Sequence, residues 1–586
     1  MFKFLGKRAV IRFGEFETDL RLRQLLRQGQ RADIQEKSFT ILVTLLEKPG
    51  EIVSREELRT RLWSGVSHGD TDHNLDVCVE KLRRALGDSA NHPRFIKTIS
   101  GSGYCFIAPV EVQEAQHPKQ QSGRIRLAVL PFALQASNTP AETCNFCNEL
   151  AVEINTDLAH LYADQIGVIA HSSVLKYRGT TKSQTQIGRE LRADYLLEIT
   201  CRTASNCSHI MAQLVQVKDQ SYLWAERYHY SSGDLITIQN EVAQRVAQSL
   251  GLKLLPGRAT SIQKHGTQSA EAHLLFVKGC QQQWEQTEES LRRSIEHFER
   301  AVQLDPKYAA AYSALANSYS IVGLLGFAGP PSQCFPKAME AAREALRIIA
   351  NLAGPHVSLA IVKYLHEWDW AGSDKLLRRA LELNPSDTLA HRVLAYLLSS
   401  RRRPEEAIAE AWQACELDPA SLSASVCLGA AYYLGRREEE AIATLKTILD
   451  VKPNFGPALM WLGACYTSKS MHAEAIAALE KAKEHRPHAL IEAWLGSAYA
   501  RAGRTKQAKA VLAKLTRLST TNYVSAFGFS LIYAGLEQND QAFEWLAKAC
   551  EERCPFFAVL LPVDPRLDLL RSDSRFASFA DRFMAA

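Results

Sequence analysis

One stretch of the chain, residues 73–84, combines short polar, apolar and cationic side chains on a helical spacing. Side chains of these types suit the base edges and phosphates of a DNA major groove. On one face of the predicted helix they are His73, Asn74, Val77, Cys78, Lys81 and Arg84. The opposite face is apolar, with spacings of four, three and four residues between Leu75, Val79, Leu82 and Leu86. This pattern predicts a helix with one face on a core and the other open to a groove.

A glycine-tipped hairpin follows this helix. Residues 95–99 and 104–107 alternate as strands do, and Gly101 and Gly103 lie between them, where they permit a tight turn. A helix followed by such a hairpin predicts a winged helix.

The elements needed to position this helix precede it in the sequence. Residues 14–26 and 31–34 predict a small N-terminal sheet, and residues 36–48 predict a helix that a Pro49-Gly50 pair ends. A second helix follows, because Ser54 with Glu57 three residues later forms a capping box.

From residue 12 to about 108 this order resembles the C-terminal effector domain of OmpR/PhoB-type transcriptional regulators. The resemblance implies an α+β winged helix that binds double-stranded DNA over residues 1–110. It implies that His73, Asn74, Val77, Cys78 and Lys81 face bases and that Arg83 faces a phosphate. It also implies that the loop from Trp63 to Asp72 can contact RNA polymerase and that half-sites on DNA bring two copies together as a dimer.

The predicted wing departs from that family. Its members often carry arginines beside the wing glycines and after the tyrosine, where this chain has Ser100, Ser102 and Cys105 around Tyr104. We still assign Ser100, Ser102 and Tyr104 to the DNA-binding set, but we expect the wing to bind DNA more weakly than in other members of the family. Losing two or three phosphate contacts lowers affinity by about an order of magnitude at physiological salt.

Length and charge indicate a large globular protein with one nucleic-acid-binding part. At 586 residues and about 150 residues per domain, the chain has room for roughly four units. Its formal net charge is +5, and residues 1–110 carry 18 Lys and Arg against 14 Asp and Glu. The remainder is nearly neutral, so a second nucleic-acid surface is not indicated.

The sequence has no run of eighteen apolar residues and no signal-peptide pattern at its start. CadC-like relatives of the family place a membrane helix after the winged helix, whereas residues 111–124 read as a polar linker. We therefore expect no membrane contact and a cytoplasmic location. Thirteen cysteines, an odd number, fit a reducing compartment. Cys144 and Cys147 form a CxxC that we interpret as structural, with a redox or metal role as the alternative.

Residues 125–255 alternate strand and helix patterns, which predicts an α/β sheet. Three strings, "AVLPF", "IGRELRADYLLE" and "LWAERY", resemble the TolB-like α/β domain. That resemblance implies a fold and supplies no catalytic residue.

From residue 268 to about 560 the chain repeats with a period of 34 residues. Prolines keep this step at Pro385, Pro419, Pro453 and Pro487, as do the alanines Ala407, Ala441 and Ala475 and the small residues Ala395, Gly429 and Gly463. This is the tetratricopeptide (TPR) pattern, in which small residues let two antiparallel helices approach closely and proline ends the second. It predicts an all-α solenoid with a protein or peptide partner on its concave face.

We expect about eight helix pairs, a loop or lengthened repeat at residues 323–336, and a C-terminal capping helix over residues 561–586. The turn "SSRRRPEE" places Arg401, Arg402 and Arg403 together. These arginines could engage an acidic partner, or could simply form a solvated helix end.

Motifs of enzymes are missing from the sequence, including the phosphate loop, the HExxH zinc helix, the GxSxG elbow and the dinucleotide fingerprint. We expect no cofactor. Our leading hypothesis is a one-component transcriptional regulator, controlled through protein or ligand binding to the TolB-like and TPR regions. The alternatives are a TPR scaffold with a degenerate winged helix, and an enzyme with its site in the TolB-like domain.

Overall fold

The computed structural model forms two compact units, Met1–Ser122 and Gly123–Ala586. The residues that the structure describes are 9–19, 24–27, 30–32, 34, 36–46, 48–62, 71–99, 101–114, 125–130, 150–151, 154–155, 158, 162, 165–169, 173–174, 177, 180, 182–204, 207–230, 235–252, 267, 269–285, 287–327, 329–485, 488–577 and 579.

The first unit opens with an antiparallel sheet, as residues 14–34 predicted. Its strands lie in the order β4-β3-β2-β1-β8. They are β1 (Ala9–Phe13), β2 (Phe16–Asp19), β3 (Gln24–Arg27), β4 (Gln30–Arg31) and β8 (Glu111–Glu114). Strand β8 pairs with β1, with Val112 opposite Ile11. The predicted linker over residues 111–124 therefore begins too early, because backbone pairing of residues 111–114 does not require apolar side chains.

Three helices and a second sheet complete this unit. The helices are α1 (Glu36–Leu46), α2 (Arg55–Leu62) and α3 (Thr71–Leu86). The second sheet has the order β5-β7-β6 and contains β5 (Ile52–Ser54), β6 (Ile96–Ile99) and β7 (Gly103–Phe106). The Ser54 hydroxyl accepts from the Glu57 amide at 3.1 Å, which is one of the two bonds of the predicted capping box, whereas the Glu57 carboxylate pairs with Lys48 at 2.8 Å. The predicted apolar face of α3, Leu75, Val79, Leu82 and Leu86, is buried in the core.

Gly103 allows the wing to pack against β5. Its φ is +154°, and a Cβ built there would lie 2.1 Å from the Val53 carbonyl oxygen. That atom belongs to the backbone of a paired strand, so it cannot move aside without breaking the sheet. Gly101 also has a positive φ, +71°, but a Cβ there would meet open space.

We predict that Gly103→Ala opens the wing and that Gly101→Ala does not. The first change forces a backbone clash that costs about 3 kcal/mol, whereas the second adds only the strain of a left-handed residue, about 1 kcal/mol. Hydrogen–deuterium exchange of the full chain checks this, with an expected acceleration of about a hundredfold over residues 96–106 for Gly103→Ala. Equal protection in the two variants would contradict the close approach.

The second unit begins with a mixed five-stranded sheet of order β10-β9-β11-β12-β13. Strand β9 pairs in parallel with β10 and β11, and β12 is antiparallel to both β11 and β13. The strands are β9 (Ile125–Leu130), β10 (Ile166–Val168), β11 (Tyr195–Ala204), β12 (Cys207–Gln216) and β13 (Tyr222–Tyr230). Helices α4 (Gln184–Leu191) and α5 (Leu235–Ser249) accompany them. The predicted α/β alternation is confirmed.

Sixteen further helices of the described residues form eight antiparallel pairs, in agreement with the predicted number. They are α6 (Ala270–Glu285), α7 (Glu288–Leu304), α8 (Ala309–Leu325), α9 (Pro331–Ile348), α10 (Ala353–Val362), α11 (Trp370–Leu383), α12 (Thr388–Ser400), α13 (Pro404–Leu417), α14 (Leu422–Leu434), α15 (Glu438–Val451), α16 (Gly456–Ser468), α17 (His472–His485), α18 (Ala489–Arg501), α19 (Thr505–Leu518), α20 (Ala526–Gly535) and α21 (Asn539–Glu551). A π-helical turn, Lys363–Glu367, extends α10. The irregular repeat at residues 323–336 is a lengthened pair, α8 and α9.

The small residues of the repeat let paired helices touch. A Cβ on Gly429 would lie 2.8 Å from the Leu445 side chain, and one on Gly463 would lie 2.5 Å from that of Leu479. The repeat also fixes the turns inside the pairs. One turn residue in each of six successive repeats has a left-handed φ between +56° and +71°. These residues are Trp368, Arg402, Arg436, Ser470, Gly503 and Glu537.

The predicted capping helix over residues 561–586 is found only in part. Described residues 574–577 and 579 are helical and pack on α21, where Phe579 stacks on Phe543 and Arg575 pairs with Asp540, whereas the residues before them do not continue one helix.

The segment of residues 555–571 comprises α22 (Pro555–Leu560), a 3₁₀ turn (Pro565–Leu567) and α23 (Asp568–Arg571). We call it the C-terminal segment. It contacts α12, α16, α20, α21 and the π turn, and all of these except α21, which directly precedes it, belong to the first helix of a pair. The Asp564-Pro565 step breaks the helical course, and the buried Asp564 accepts from the Arg566 amide.

The solenoid curls back on itself, so its first helices face inward. The His488 ring lies 3.0 Å from the Leu325 carbonyl oxygen and edge-on to the Phe327 ring, which joins the second pair to the seventh. The C-terminal segment, which contacts first helices of several pairs, therefore occupies the inner, concave side.

The α/β sheet also docks on the solenoid within this unit. The Arg126 guanidinium donates to the Glu416 carbonyl at 2.8 Å, and the Ala420 amide donates to the Ser173 hydroxyl at 3.0 Å. Ser173 also bonds the buried Asp418 carboxylate. The turn after α13 is thereby held to the sheet, a contact that the sequence did not predict.

Candidate nucleic-acid interface

Helix α3 presents an open face opposite its buried one. Lys81 and Arg84 are exposed along it, and Val77, at 37% exposure, is one of the few large apolar residues left accessible. The three residues follow one another at steps of four and three, so they share one side of the helix. An apolar contact followed along the helix by two cations suits a groove with thymine methyls and phosphates.

Cys78 lies between the open face and the core. It is partly buried and packs against the core of the first unit, while its carbonyl oxygen accepts from the Ser38 hydroxyl at 2.9 Å. This bond ties α3 to α1. Cys78 therefore stands at the edge of the open face.

Several predicted site residues fall where the structure gives no side chain. His73 and Asn74 lie in the first turns of α3, but only their backbone is described. Ser100 and residues 63–70 of the predicted polymerase-facing loop lie outside the described residues. Ser102 is described, and it is exposed at the wing turn, where its amide donates to the Ile99 carbonyl at 3.0 Å.

Arg83 does not reach the open face, contrary to the predicted phosphate contact. It is only 6% exposed, and its Nη2 donates to the Ile96 carbonyl at 3.0 Å and to the Thr98 hydroxyl at 2.7 Å. One helical step from Leu82, it turns inward and bonds the first wing strand. Arg83 thus positions the wing against α3, and we remove it from the DNA-contacting set.

Tyr104 is also a positioning residue rather than a free wing side chain. Its ring is 3% exposed, and its hydroxyl donates to Asp76 at 2.5 Å and accepts from Arg55 at 2.9 Å. Burial and the neighbouring Asp76 carboxylate raise the pKa of Tyr104 to about 12. Arg55 closes the triangle with an ion pair to Asp76 at 2.8 Å. These contacts connect α2, α3 and the wing.

Asp88 is a positioning residue that the sequence did not reveal. Its carboxylate accepts four backbone amides in the connection from α3 to β6, at distances of 2.7 to 3.2 Å: those of Ser89, Arg94, Phe95 and Ile96. A turn-forming "GDS" string after the helix is the only signal for it.

Lys97 is the cation that the predicted wing lacked. It is exposed on β6, between the buried Ile96 and the turn. Its two neighbours on the same face of the predicted strand, Phe95 and Ile99, are apolar, so alternation alone did not predict this exposure. The wing therefore carries one outward lysine in place of the family's arginines.

We predict that replacing two neighbouring cations of α3 has very different effects on stability. Arg83→Ala leaves the buried Ile96 carbonyl without its charged donor and lowers the free energy of unfolding of the first unit by about 2–3 kcal/mol. Lys81→Ala, on the open face, changes it by less than about 0.5 kcal/mol. A urea titration of the full chain, in which proteolysis of the first unit reports its unfolding, measures both free energies. Equal stability of the two variants would contradict the assignment of Arg83.

Other site chemistries find no support in the described part of the chain. No three His, Cys, Asp or Glu side chains converge there as a metal site requires. Cys144 and Cys147 lie outside it. None of its helices is both long and apolar enough to span a bilayer.

The family comparison agrees with this geometry. Residues 29–106 match the family described as "Transcriptional regulatory protein, C terminal". The chain carries a domain of this family. We call these residues the regulator domain; they include α1, α2, α3 and both wing strands.

Longer similarities extend beyond the regulator domain. The chain is 27% identical over 366 residues to the transcriptional regulator HilA of Salmonella typhimurium, which covers 62% of this chain and 62% of HilA. It is 30% identical over 251 residues to a Rhizobium meliloti protein named putative adenylate cyclase 3, covering 42% of this chain and 41% of that one. The chain thus spans less than two thirds of the length of these relatives.

Among solved structures, the DNA-binding domain of Klebsiella pneumoniae RstA in complex with the RstA box is 32% identical. It covers 17% of this chain and 96% of that one, with a TM-score of 0.16.

Proposed function

We propose that the chain is a one-component transcriptional regulator that binds promoter DNA through α3. The observation that carries this proposal is the open face of Val77, Lys81 and Arg84 on a helix whose other face is core. His73 and Asn74 extend the same predicted face toward the start of the helix, the end that reads bases in helix-turn-helix proteins. Lys97 and Ser102 on the wing contact the backbone beside the groove.

Further parts of the proposal rest on the family resemblance and on HilA. RNA polymerase contacts the loop from Trp63 to Asp72, and two copies bind adjacent half-sites as a dimer. A protein or peptide partner of the solenoid controls DNA binding. Because the domain acts on DNA, we propose a cytoplasmic location.

We propose no enzymatic step for this chain. The putative adenylate cyclase shares only part of its length with this protein. Incubation of the full chain with ATP and Mg²⁺ tests this point: formation of cyclic AMP above a heat-denatured control would contradict the proposal.

The alternative function is a TPR scaffold whose winged helix no longer binds DNA. The wing favours it, because Ser102 and Cys105 stand where the family often has arginines and Cys105 is buried. The two functions differ in salt-dependent DNA affinity.

We expect the full chain to bind genomic promoter fragments with a steep salt dependence. Each phosphate contact contributes a slope of about −0.9 to log affinity against log salt. Lys81→Ala should weaken binding and lower that slope by about one. Fluorescence anisotropy across a salt series measures both quantities.

A matched control is Lys506→Ala, which removes an exposed lysine of the solenoid. It should leave both affinity and slope unchanged. A nearly flat salt dependence of the unaltered chain would favour the scaffold, and equal effects of the two lysine variants would refute the groove assignment.

A further inference from the structure

The concave side of the solenoid is already occupied by the C-terminal segment. Its contacts begin at the inner edge, where the left-handed turn residues of three successive repeats reach it. Trp368 stacks on Phe557 with ring centroids 5.6 Å apart, and Arg402 donates to the Pro562 carbonyl at 3.3 Å. Arg436 pairs with Asp568 through two bonds of 2.5 and 2.7 Å.

Deeper contacts surround an arginine at the centre of the concave side. The Arg566 guanidinium lies 3.8 Å from the Trp494 ring centroid and is 2% exposed. Asp564 pairs with it at 2.7 Å within the segment and accepts from the Tyr433 hydroxyl at 2.8 Å. The solenoid thus supplies an aromatic face for a guanidinium and a hydroxyl for a carboxylate.

The solenoid also binds the backbone of the segment. Three of its carbonyl oxygens accept from solenoid side chains: Val559 from Ser400 at 3.1 Å, Pro562 from Arg402, and Arg566 from Arg501. A segment that only shielded apolar side chains from water would need none of these hydrogen bonds. Side-chain donors to backbone carbonyls, together with anchored aromatic and arginine contacts, are also found where proteins bind peptides.

The polar centre also argues against a purely stabilising role. Replacing a buried ion pair by apolar residues is often neutral or stabilising, so such a pair contributes specificity more readily than stability. The carboxylate of Asp564 and the guanidinium of Arg566 are separated by one proline, which sets their spacing for Tyr433 and Trp494. The site therefore recognises an acidic residue, one intervening residue and an arginine.

We propose that the concave side is a peptide-binding groove held in cis by residues 562–571, and that a partner peptide with an acidic-x-arginine sequence displaces them. This deepens the part of the proposed function that assigns a partner to the solenoid. It requires no DNA, so its failure is distinguishable from failure of DNA binding. Helix α22, with its apolar contact to Trp368, stays in place.

The test uses the full chain and a fluorescein-labelled peptide with the sequence of residues 562–573. Asp568→Ala removes the segment's half of an ion pair whose two side chains are each about half exposed, so the fold should persist, and it leaves Arg436 in the groove to bind the aspartate of the added peptide. Losing such a pair shifts the balance toward the open groove and should raise the apparent affinity for the peptide about fivefold over the unaltered chain. The control is Arg437→Ala, whose side chain pairs with Glu440 instead; its affinity should match the unaltered chain.

A second peptide, with alanine at the positions of Asp564 and Arg566, should bind none of the proteins. Hydrogen–deuterium exchange of residues 562–571 reports opening independently, with faster exchange expected in Asp568→Ala. Opening without peptide binding, or equal binding of both peptides, would overturn the proposal. If the double variant Arg402→Ala, Arg436→Ala also fails to open, the segment is a permanent part of the core and the proposal is wrong.

Discussion

The close approach of paired helices is the constraint on which most of the molecule depends. Gly429 and Gly463 have no side chain where Leu445 and Leu479 pass, so the two helices of a pair come together at the same depth in each repeat. Repeating that geometry bends the array until Leu325 meets His488. The concave side exists because of this curvature, and its width determines what it can hold. Here it holds one irregular segment of the same chain.

Polar contacts play a corresponding role in the first unit. The apolar face of α3 sets which side of the helix is buried, but it does not set the position of the wing. Arg83, Asp88 and the triangle of Arg55, Asp76 and Tyr104 do so, because each spans the helix and the strands with hydrogen bonds or ion pairs. These groups are therefore unavailable to DNA. The set of side chains that remains available to contact DNA is therefore smaller than the charged residues of the sequence suggest.

The α/β sheet is fixed to the solenoid by a similarly small number of contacts. Ser173 and Arg126 reach the turn that ends at Ala420, and the carboxylate of Asp418 is buried between them and the solenoid. A buried carboxylate needs its hydrogen-bond partners, so the sheet and the turn move together. A ligand or partner at either element would act on both.

The sequence by itself determined the elements and most of the fold. The 34-residue step predicted eight helix pairs, and the spacing of Leu75, Val79, Leu82 and Leu86 predicted the buried face of α3. These succeed because they depend on local periodicity, which an amphipathic helix or strand cannot avoid. The proposed contacts of His73, Asn74 and Ser100 with DNA remain predictions.

Only the tertiary structure decided what the polar residues do. Arg83 and Tyr104 looked like DNA contacts, yet long side chains bond whichever neighbour the packed chain brings near, and here that neighbour is the wing or α3. Residues 561–571, the first part of the predicted capping helix, instead form an irregular segment that contacts the first helices of several pairs. Strand β8 likewise became part of the first sheet only because β1 offered an unpaired edge. Periodicity reflects contacts between residues that are close along the chain, whereas hydrogen bonds between distant residues depend on which residues the folded chain brings together.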